Sequence, residues 1–544
     1  MDFITILDVS LGILALYLLK LLISPTKSIS RLPLPPGPKP LPLIGNLLDL
    51  PKEYDWLHWA KHKPLYGPMS SVSVFGKTMI LIHSSTIAFD LFEKRSSFYS
   101  SRPTLVFGGQ MCGWENSLPL LTYGSPRFRA YRKNLSQIIG TKSAISKFSL
   151  LEEEETRTFL KRVMDNPGGL LGHIRKLTGA VILKISHGYT VEAKGNDPLV
   201  DLADDAVEHF SLSTTPGVWL VDVMPFLRYI PDWLPGAGFK RTASRSFKKA
   251  NELADKPYAF VKRQMASGIA TPSYTSALLE KLEKVKIINN NADAATIAEE
   301  EFIIKWSATT LYGGGADTTV SAIYGFYLAM VLFPDIQARA QAEIDSVIGS
   351  SSGDGPDWIP GLKDRENLVY VNAVAKEVLR WNPIVPMGLP HVNTEDDVYN
   401  GYFIPKGSIL MANIWQMTHD PSVYRDPFEF KPERYLGESP EPDSHLFTFG
   451  FGRRICPGKE LADTSLFLAI CQTLAVFTIT KPISPRTGEP YTPECHYQTG
   501  VISHPKTYEC RIMPRSEKLR KLIEDVDEEF VRVGESDANI LKEL

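Results

Sequence analysis

The stretch FGFGRRICPG, Phe449 to Gly458, decides the reading of the chain, and one atom in it, the sulfur of Cys456, decides the stretch. Gly450, Gly452 and Gly458 punctuate a loop, and Pro457 and Gly458 open an apolar helical run of Leu461, Ala462, Leu466, Phe467, Ala469 and Ile470. Backbone amides in such a loop, together with the positive end of the helix dipole, favour a thiolate over a thiol. A thiolate so held suits a metal approached from one side. No second Cys or His stands at zinc spacing, because Cys471 is fifteen residues on and buried by pattern. A single protein thiolate leaves the other ligand positions to a macrocycle, which points to haem.

The loop resembles the haem-binding loop of cytochromes P-450, whose pattern is Phe, two residues, Gly, one, Arg, one, Cys, one, Gly. Phe449, Gly452, Arg454, Cys456 and Gly458 fill those slots. A lone Cys in apolar sequence is ordinarily a buried structural thiol, and that is the reading for Cys112, Cys471, Cys495 and Cys510. The five matched positions set Cys456 apart as the axial ligand. The resemblance implies a cytochrome P-450 fold, mainly α with small β-sheets, and haem b framed by Phe449, Gly450 and Gly458.

Working outward, the 544 residues show no repeat and no low-complexity linker, so one large catalytic domain is expected. A hydrophobic content of 43% suffices for a big core, and a formal charge of -3 gives nucleic acid no electrostatic hold. Five scattered Cys do not make a disulfide framework, which fits a reducing compartment.

At the N-terminus, Phe3 to Ile23 is a mostly apolar run that would reach about 30 Å as a helix, one bilayer core. Lys20 stands near its C-terminal end, Lys27 and Arg31 follow it and only Asp2 precedes it, so the positive-inside rule puts the bulk of the chain in the cytosol. The expected division is a transmembrane anchor at 1–24, a proline-rich hinge at 25–45 that sets a stiff offset, a catalytic domain at 46–515 and a charged amphipathic tail at 516–544. In the tail Leu519, Leu522, Ile523, Val526, Phe530 and Val533 fall at helical spacing, which reads as a peripheral helix.

Ser70 to His83 alternates and breaks at Gly76-Lys77, a β-hairpin signal, and Ser84 is placed to cap a helical run to Lys94. The irregular text from there to Leu121 corresponds in the look-alike family to the roof of the substrate pocket. That makes Leu105, Val106, Phe107, Met111 and Trp114 wall candidates. Tyr123 to Lys133 resembles the helix whose Arg reaches a haem propionate, with Arg132 in that slot and Phe128 standing where the family has Trp. Phe210 to Phe239, rich in large apolar residues and prolines, reads equally as core or as a pocket lid that dips into the membrane.

Ala295 to Phe333 is the longest helical pattern and ends at Pro334. Gly313, Gly314 and Gly315 in its middle cost roughly 1 kcal/mol each against Ala, so something should require the backbone to come close there, as a flat haem passing across the helix would. The string resembles the family's small residue, Gly, any, acid, Thr, Thr. It implies that Gly315 lies against the haem and that Asp317 and Thr318 face its oxygen-binding side to deliver protons. Glu377 and Arg380, three apart on one helix, together with Arg434 in PERY, resemble the family's structural Glu-Arg-Arg triad. Ile384 to His391 resembles the segment over the haem, with Ile384, Val385, Met387 and Leu389 toward substrate. His391, Arg454 and Arg102 are the further propionate candidates, and residues 497 to 503 return to the pocket.

The reaction implied is monooxygenation of a small hydrophobic substrate. The wording of LPPGPKPLPLIGNLLDLP and FIPKGSILMANIWQMTHDP is similar to the fungal microsomal branch near the O-methylsterigmatocystin oxidoreductase group, which implies secondary metabolism or xenobiotic oxidation at the endoplasmic reticulum membrane. Nothing resembles a flavin or NADPH module. Electrons are therefore expected from NADPH-cytochrome P-450 reductase, with cytochrome b5 as a second donor, docking near Arg127, Arg129, Lys133, Arg453 and Lys459. Two rivals stand beside this reading. One is a haem-thiolate isomerase or dehydratase, expected to lack the acid-Thr pair, and the other is a non-catalytic membrane haem or sterol binding protein.

Overall fold

Apolar residues recur at helical spacing through most of the chain, and helices dominate the computed structural model, which describes residues 12, 32–288, 293–351, 353, 355–524 and 536–541. Helices of eight or more residues are, in chain order, α1 (Pro126–Ile139), α2 (Ser149–Asp165), α3 (Leu170–His187), α4 (Pro198–Ser213), α5 (Gly238–Ala266), α6 (Tyr274–Ile288), α7 (Ala294–Leu332), α8 (Pro334–Ile348), α9 (Val369–Trp381), α10 (Lys459–Val476) and α11 (Glu517–Glu524). Local chemistry fixes several ends. The Asp197 carboxylate caps α4 by accepting from the Leu199 and Val200 N–H groups, and α7 stops where Pro334 has no N–H to give, that proline instead opening α8.

The α7 helix is 39 residues long and apolar on every side over its second half, so it has to be sheathed by protein. It packs against α3, α4, α6 and α10, which makes it the axis of the main core. Among the described residues no single helix is long and apolar enough to cross a membrane. Apart from Gly12, the expected anchor from Phe3 to Ile23 lies outside the described residues.

Strands are short: β1 (Met69–Val74), β2 (Lys77–Ile82), β3 (His391–Val392), β4 (Asp397–Tyr399), β5 (Tyr402–Ile404), β6 (Ile409–Ala412), β7 (Phe477–Thr480) and β8 (Arg511–Pro514). The β1–β2 hairpin forms as the sequence predicts, and its turn places Phe75 and Gly76 at φ of 47° and 81°. Ser84 precedes the next helix, but its side chain makes no capping bond. The hairpin joins a sheet of order β1-β2-β6-β3 in which β2 and β6 are parallel, so residues more than 300 apart in sequence are laced together beside the helical body.

The proline stretch is not a free spacer once it reaches the described residues. The Pro33 carbonyl accepts from the Phe403 N–H at 2.8 Å, and Pro36 accepts from the Ser71 N–H at 2.9 Å. Proline offers carbonyls and no N–H, so it suits an edge that only needs acceptors. A Cβ on Gly37 would run into the Ser71 carbonyl oxygen, which keeps that position bare. The tail is likewise part of the body: Leu519 and Ile523 are fully buried, and Asp537 exchanges backbone and side-chain bonds with Thr190. Val526, Phe530 and Val533 lie outside the described residues.

Candidate active site

Between α7 and α10 the helices part around a cavity of about 370 Å³, and the loop before α10 forms its floor. Sequence dictates that loop's shape. Gly450 and Gly452 adopt φ of 79° and 52°, and a Cβ on Gly452 would collide with the Phe92 carbonyl, so only glycine fits. The Cys456 N–H donates to the Phe449 carbonyl at 2.8 Å, closing the loop on itself and turning the sulfur toward the cavity. Phe449, Gly450 and Gly458 border the same space. The thiol does not lie low, as the loop and dipole alone would have it: burial pushes it up, and the Gly458 N–H, Arg132 and Lys459 pull it back only in part. The surface of Cys456 opens onto the cavity, while the enclosing protein supplies that desolvation.

One edge of the cavity carries cations. Arg102 donates to the Leu389 and Pro390 carbonyls at 2.8 and 2.7 Å, and Arg454 donates to those of Ser100 and Leu121 at 2.6 Å. Arg132 donates to the Ile455 carbonyl at 2.6 Å, and His391 Nδ1 lies 2.6 Å from the Tyr99 carbonyl. Among the described residues no carboxylate pairs with any of the four. Burial lowers Arg102 and His391 well below their ordinary ranges, and burial with Arg132 brings Arg454 down to about 10. Buried guanidiniums that only carbonyls satisfy are a donor set for a ligand bearing carboxylates, and the two propionates of a haem meet that need. Phe128, in the family's Trp slot, lies under Arg454 with its ring 4.0 Å from the guanidinium carbon, so it contributes a cation–π contact in place of an N–H.

The glycine segment of α7 borders the same cavity as Cys456. The three glycines divide their roles: a Cβ on Gly313 would touch Leu253 at 3.4 Å, one on Gly315 would press into Ile182 at 2.7 Å, and one on Gly314 would meet nothing within 4 Å. All three glycines border the cavity, but Gly315 is also small for the sake of α3, and Gly314 is the one whose Cβ position is open space. Thr318, one turn on, shares that face and donates to the Gly314 carbonyl at 2.7 Å. Asp317 does not face the oxygen-binding side. A step of one residue rotates the side chain by about 100°, which carries Asp317 off the cavity wall and onto His504, with Oδ2 and Nε2 3.0 Å apart.

The walls confirm some expectations and correct others. Trp114, Ile384, Val385, Leu389, Val501 and Ile502 border the cavity. Leu105, Val106, Phe107 and Met111 do not: the Phe107 ring stacks on Trp219 at 3.7 Å, packed under the following segment. Met387 turns away into a cluster with Trp56, Met79 and Met411. The 210–239 segment is part cavity wall and core, part exposed apolar surface. Phe210 borders the cavity and Val221 is buried, whereas Phe226, Tyr229 and Trp233 are 64%, 73% and 80% exposed. Sequence reading missed Glu152 on α2, buried at the cavity margin and bonded to the Ser465 hydroxyl at 2.6 Å, because in the run LEEEET it looks like one more solvated carboxylate.

The predicted triad comes together. Arg380 donates twice to Glu377 at 2.8 Å, Arg434 Nε donates to it at 3.2 Å, and the Lys431 N–H adds a bond at 2.7 Å. Glu377 and Arg380 are fully buried, so these bonds and the Thr418 and Pro427 carbonyls on Arg380 offset the loss of water. The basic set proposed for docking is reduced by one, since Arg127 is taken up by a two-pronged pair with Glu299 at 2.6 and 2.7 Å.

The family model described as Cytochrome P450 matches residues 35–511. Cytochrome P450 monooxygenase claR of Ampulloclitocybe clavipes is 47% identical over 541 residues, covering 99% of this chain and 96% of that protein. Cytochrome P450 monooxygenase ppsD of Aspergillus oryzae is 45% identical over 504 residues, 91% of this chain and 92% of its own length. O-methylsterigmatocystin oxidoreductase of Aspergillus flavus is 39% identical over 521 residues, 95% and 94% of the two chains.

Proposed function

The chain belongs to the cytochrome P450 family of monooxygenases, and from that premise we propose a membrane-anchored enzyme that inserts one atom of dioxygen into a hydrophobic organic substrate by hydroxylation or epoxidation. The observation that carries this reading is that the Cys456 sulfur, Gly314 and Thr318 of α7, and four basic side chains without a carboxylate partner among the described residues all border one largely apolar cavity. Cys456 would hold the iron of haem b, and Arg102, Arg132, Arg454 and His391 would hold its carboxylates. When bound, the haem supplies dioxygen binding and cleavage, to which thiolate donation contributes. The chain's own work is to exclude water with Val501, Ile502, Ile384 and Leu389, to orient substrate against Thr318, and to pass protons inward from Asp317. Family members need a redox partner, and for this chain NADPH-cytochrome P-450 reductase, with cytochrome b5 as a second donor, is the proposal. Arg129, Lys133, Arg453 and Lys459 are the docking cations. The Phe3 to Ile23 run and the exposed Phe226, Tyr229 and Trp233 support attachment to the endoplasmic reticulum membrane with the body in the cytosol. Fungal secondary metabolism or xenobiotic oxidation is the proposed setting.

The test is to titrate the ferric Soret band with terpenoids, polyketides, fatty acids and aromatics, and then to turn over the compounds that shift it with reductase, NADPH and isotopically labelled dioxygen. One labelled oxygen in the product, dependent on the reductase, is expected. Turnover without reductase would support an isomerase instead, and spectral shifts with no product would support a binding protein.

A further inference from the structure

The turn Gly500–His504 is pinned on three sides. The Ile502 N–H donates to Ser211 Oγ of α4 at 3.0 Å, the Ser503 N–H donates to the Ile384 carbonyl at 2.8 Å, and Ser321 Oγ of α7 donates to the Ser503 carbonyl at 2.6 Å. Val501 and Ile502 border the main cavity, and two residues on, His504 Nε2 reaches Asp317 Oδ2 at 3.0 Å. The substrate wall and the acid of α7 are thus joined through one imidazole. On its other side Asp317 borders a separate cavity of about 10 Å³, room for about one water, shared with Arg175 and Asp204. Arg175 and Asp204 pair at 2.8 Å with side chains 38% and 33% exposed, so bulk water reaches this cluster.

We infer that His504 is a positioning residue for proton delivery, holding the Asp317 carboxyl beside the Asp204 cluster and tying it to the turn that borders the main cavity. This rests on the monooxygenase reading above. Asp317 sits one helical position off the cavity wall, so its carboxyl serves Thr318 only if its rotamer is set, and the His504 contact is the bond that sets it. A proton leaving the Asp317 carboxyl toward the Thr318 hydroxyl is replaced from the imidazole or from water beside Asp204, and that donor is reprotonated from bulk. No electron moves, and only O–H and N–H bonds change. The groups facing the pair are Asp204 and Arg175, with Glu208 beyond them on α4. Burial pushes the Asp204 carboxyl up, Arg175 and His504 oppose this, and the Asp317 and Glu208 charges add to it.

The experiment uses the full chain with haem and reductase, as the parent, His504→Gln, His504→Phe, Asp317→Asn and the His504→Phe/Asp317→Asn pair. Product per NADPH, peroxide and oxygen consumption are measured across the range of roughly pH 5 to 8 in which imidazoles titrate. Substrate titration of the Soret band and the unfolding midpoint are measured beside them. His504→Phe is expected to lower product per NADPH by roughly tenfold with a matching rise in peroxide, while the Soret titration persists. The paired variant should be no worse than Asp317→Asn alone, and the unfolding losses should likewise fail to add. His504→Gln keeps an N–H donor, so it should restore most of the coupling yet flatten its pH profile. Additive losses in the pair, or a His504→Gln pH profile identical to the parent's, would overturn the inference. If His504→Phe does not fold, the His504→Gln profile decides alone. Absence of product in the parent would instead sink the monooxygenase reading on which the inference stands.

Discussion

Glu152 is a carboxyl in a place that does not tolerate its charge. Burial pushes it up to about 8, with the Ser465 hydroxyl pulling it down and Glu153 adding to the rise, and among the described residues its second oxygen has no hydrogen-bond partner. Because the folded value lies above the unfolded one, the native state binds the extra proton, and stability is present at low pH and lost as the pH rises from roughly 5 to about 8. Glu152→Gln keeps the shape and the acceptor for Ser465 without the titration. Its unfolding free energy should lose that slope, with a gain on the order of 1–3 kcal/mol over the parent at the alkaline end. Parallel pH–stability curves for the two proteins would show that Glu152 ionises normally. No pattern in the sequence could have found this residue, since its neighbours Glu153 and Glu154 carry the same side chain on more open faces of the helix.

At the scale of the element, α7 shows how far periodicity reads and where it stops. Its length, its end at Pro334 and its need for close approach were all legible in the sequence, as were the hairpin, the Cys456 loop and the Glu377 triad, because each is written in local residue types at fixed spacing. Which glycine gives way to which neighbour was not legible, because that depends on how α3 and α5 cross α7, and crossing is tertiary. Substitution separates the cases. Gly315→Val should destabilise the fold by about 1–3 kcal/mol, since Ile182 already fills the space, whereas Gly314→Val should fold with near-parental stability and instead shrink the cavity. The check is chemical denaturation of both variants beside their Soret titrations with bulky ligands. Equal destabilisation of the two, or undiminished bulky-ligand binding by Gly314→Val, would contradict this division. The same limit explains Met387 and Phe107: both lie in segments rightly read as passing the cavity, but an irregular backbone gives no period from which to tell wall from core.

For the molecule as a whole, the chain closes on itself at both ends. The proline stretch is bonded to β1 and β5 and the tail to Thr190. Deleting residues 1 to 24 should weaken membrane attachment, leaving what the exposed Phe226, Tyr229 and Trp233 provide, with the haem spectrum retained. Fractionation of the truncated protein with its spectrum recorded checks this, and loss of haem would mean the leader is built into the fold. The proposed function rests on one bond, the one the Cys456 sulfur would make to the iron of a haem bound in the cavity between α7 and α10. The most direct test is the spectrum of the ferrous carbon monoxide complex in the parent and in Cys456→His. A strongly red-shifted Soret band in the parent that is lost in the variant is the result expected of thiolate ligation, and survival of that band in Cys456→His would contradict the account at its centre.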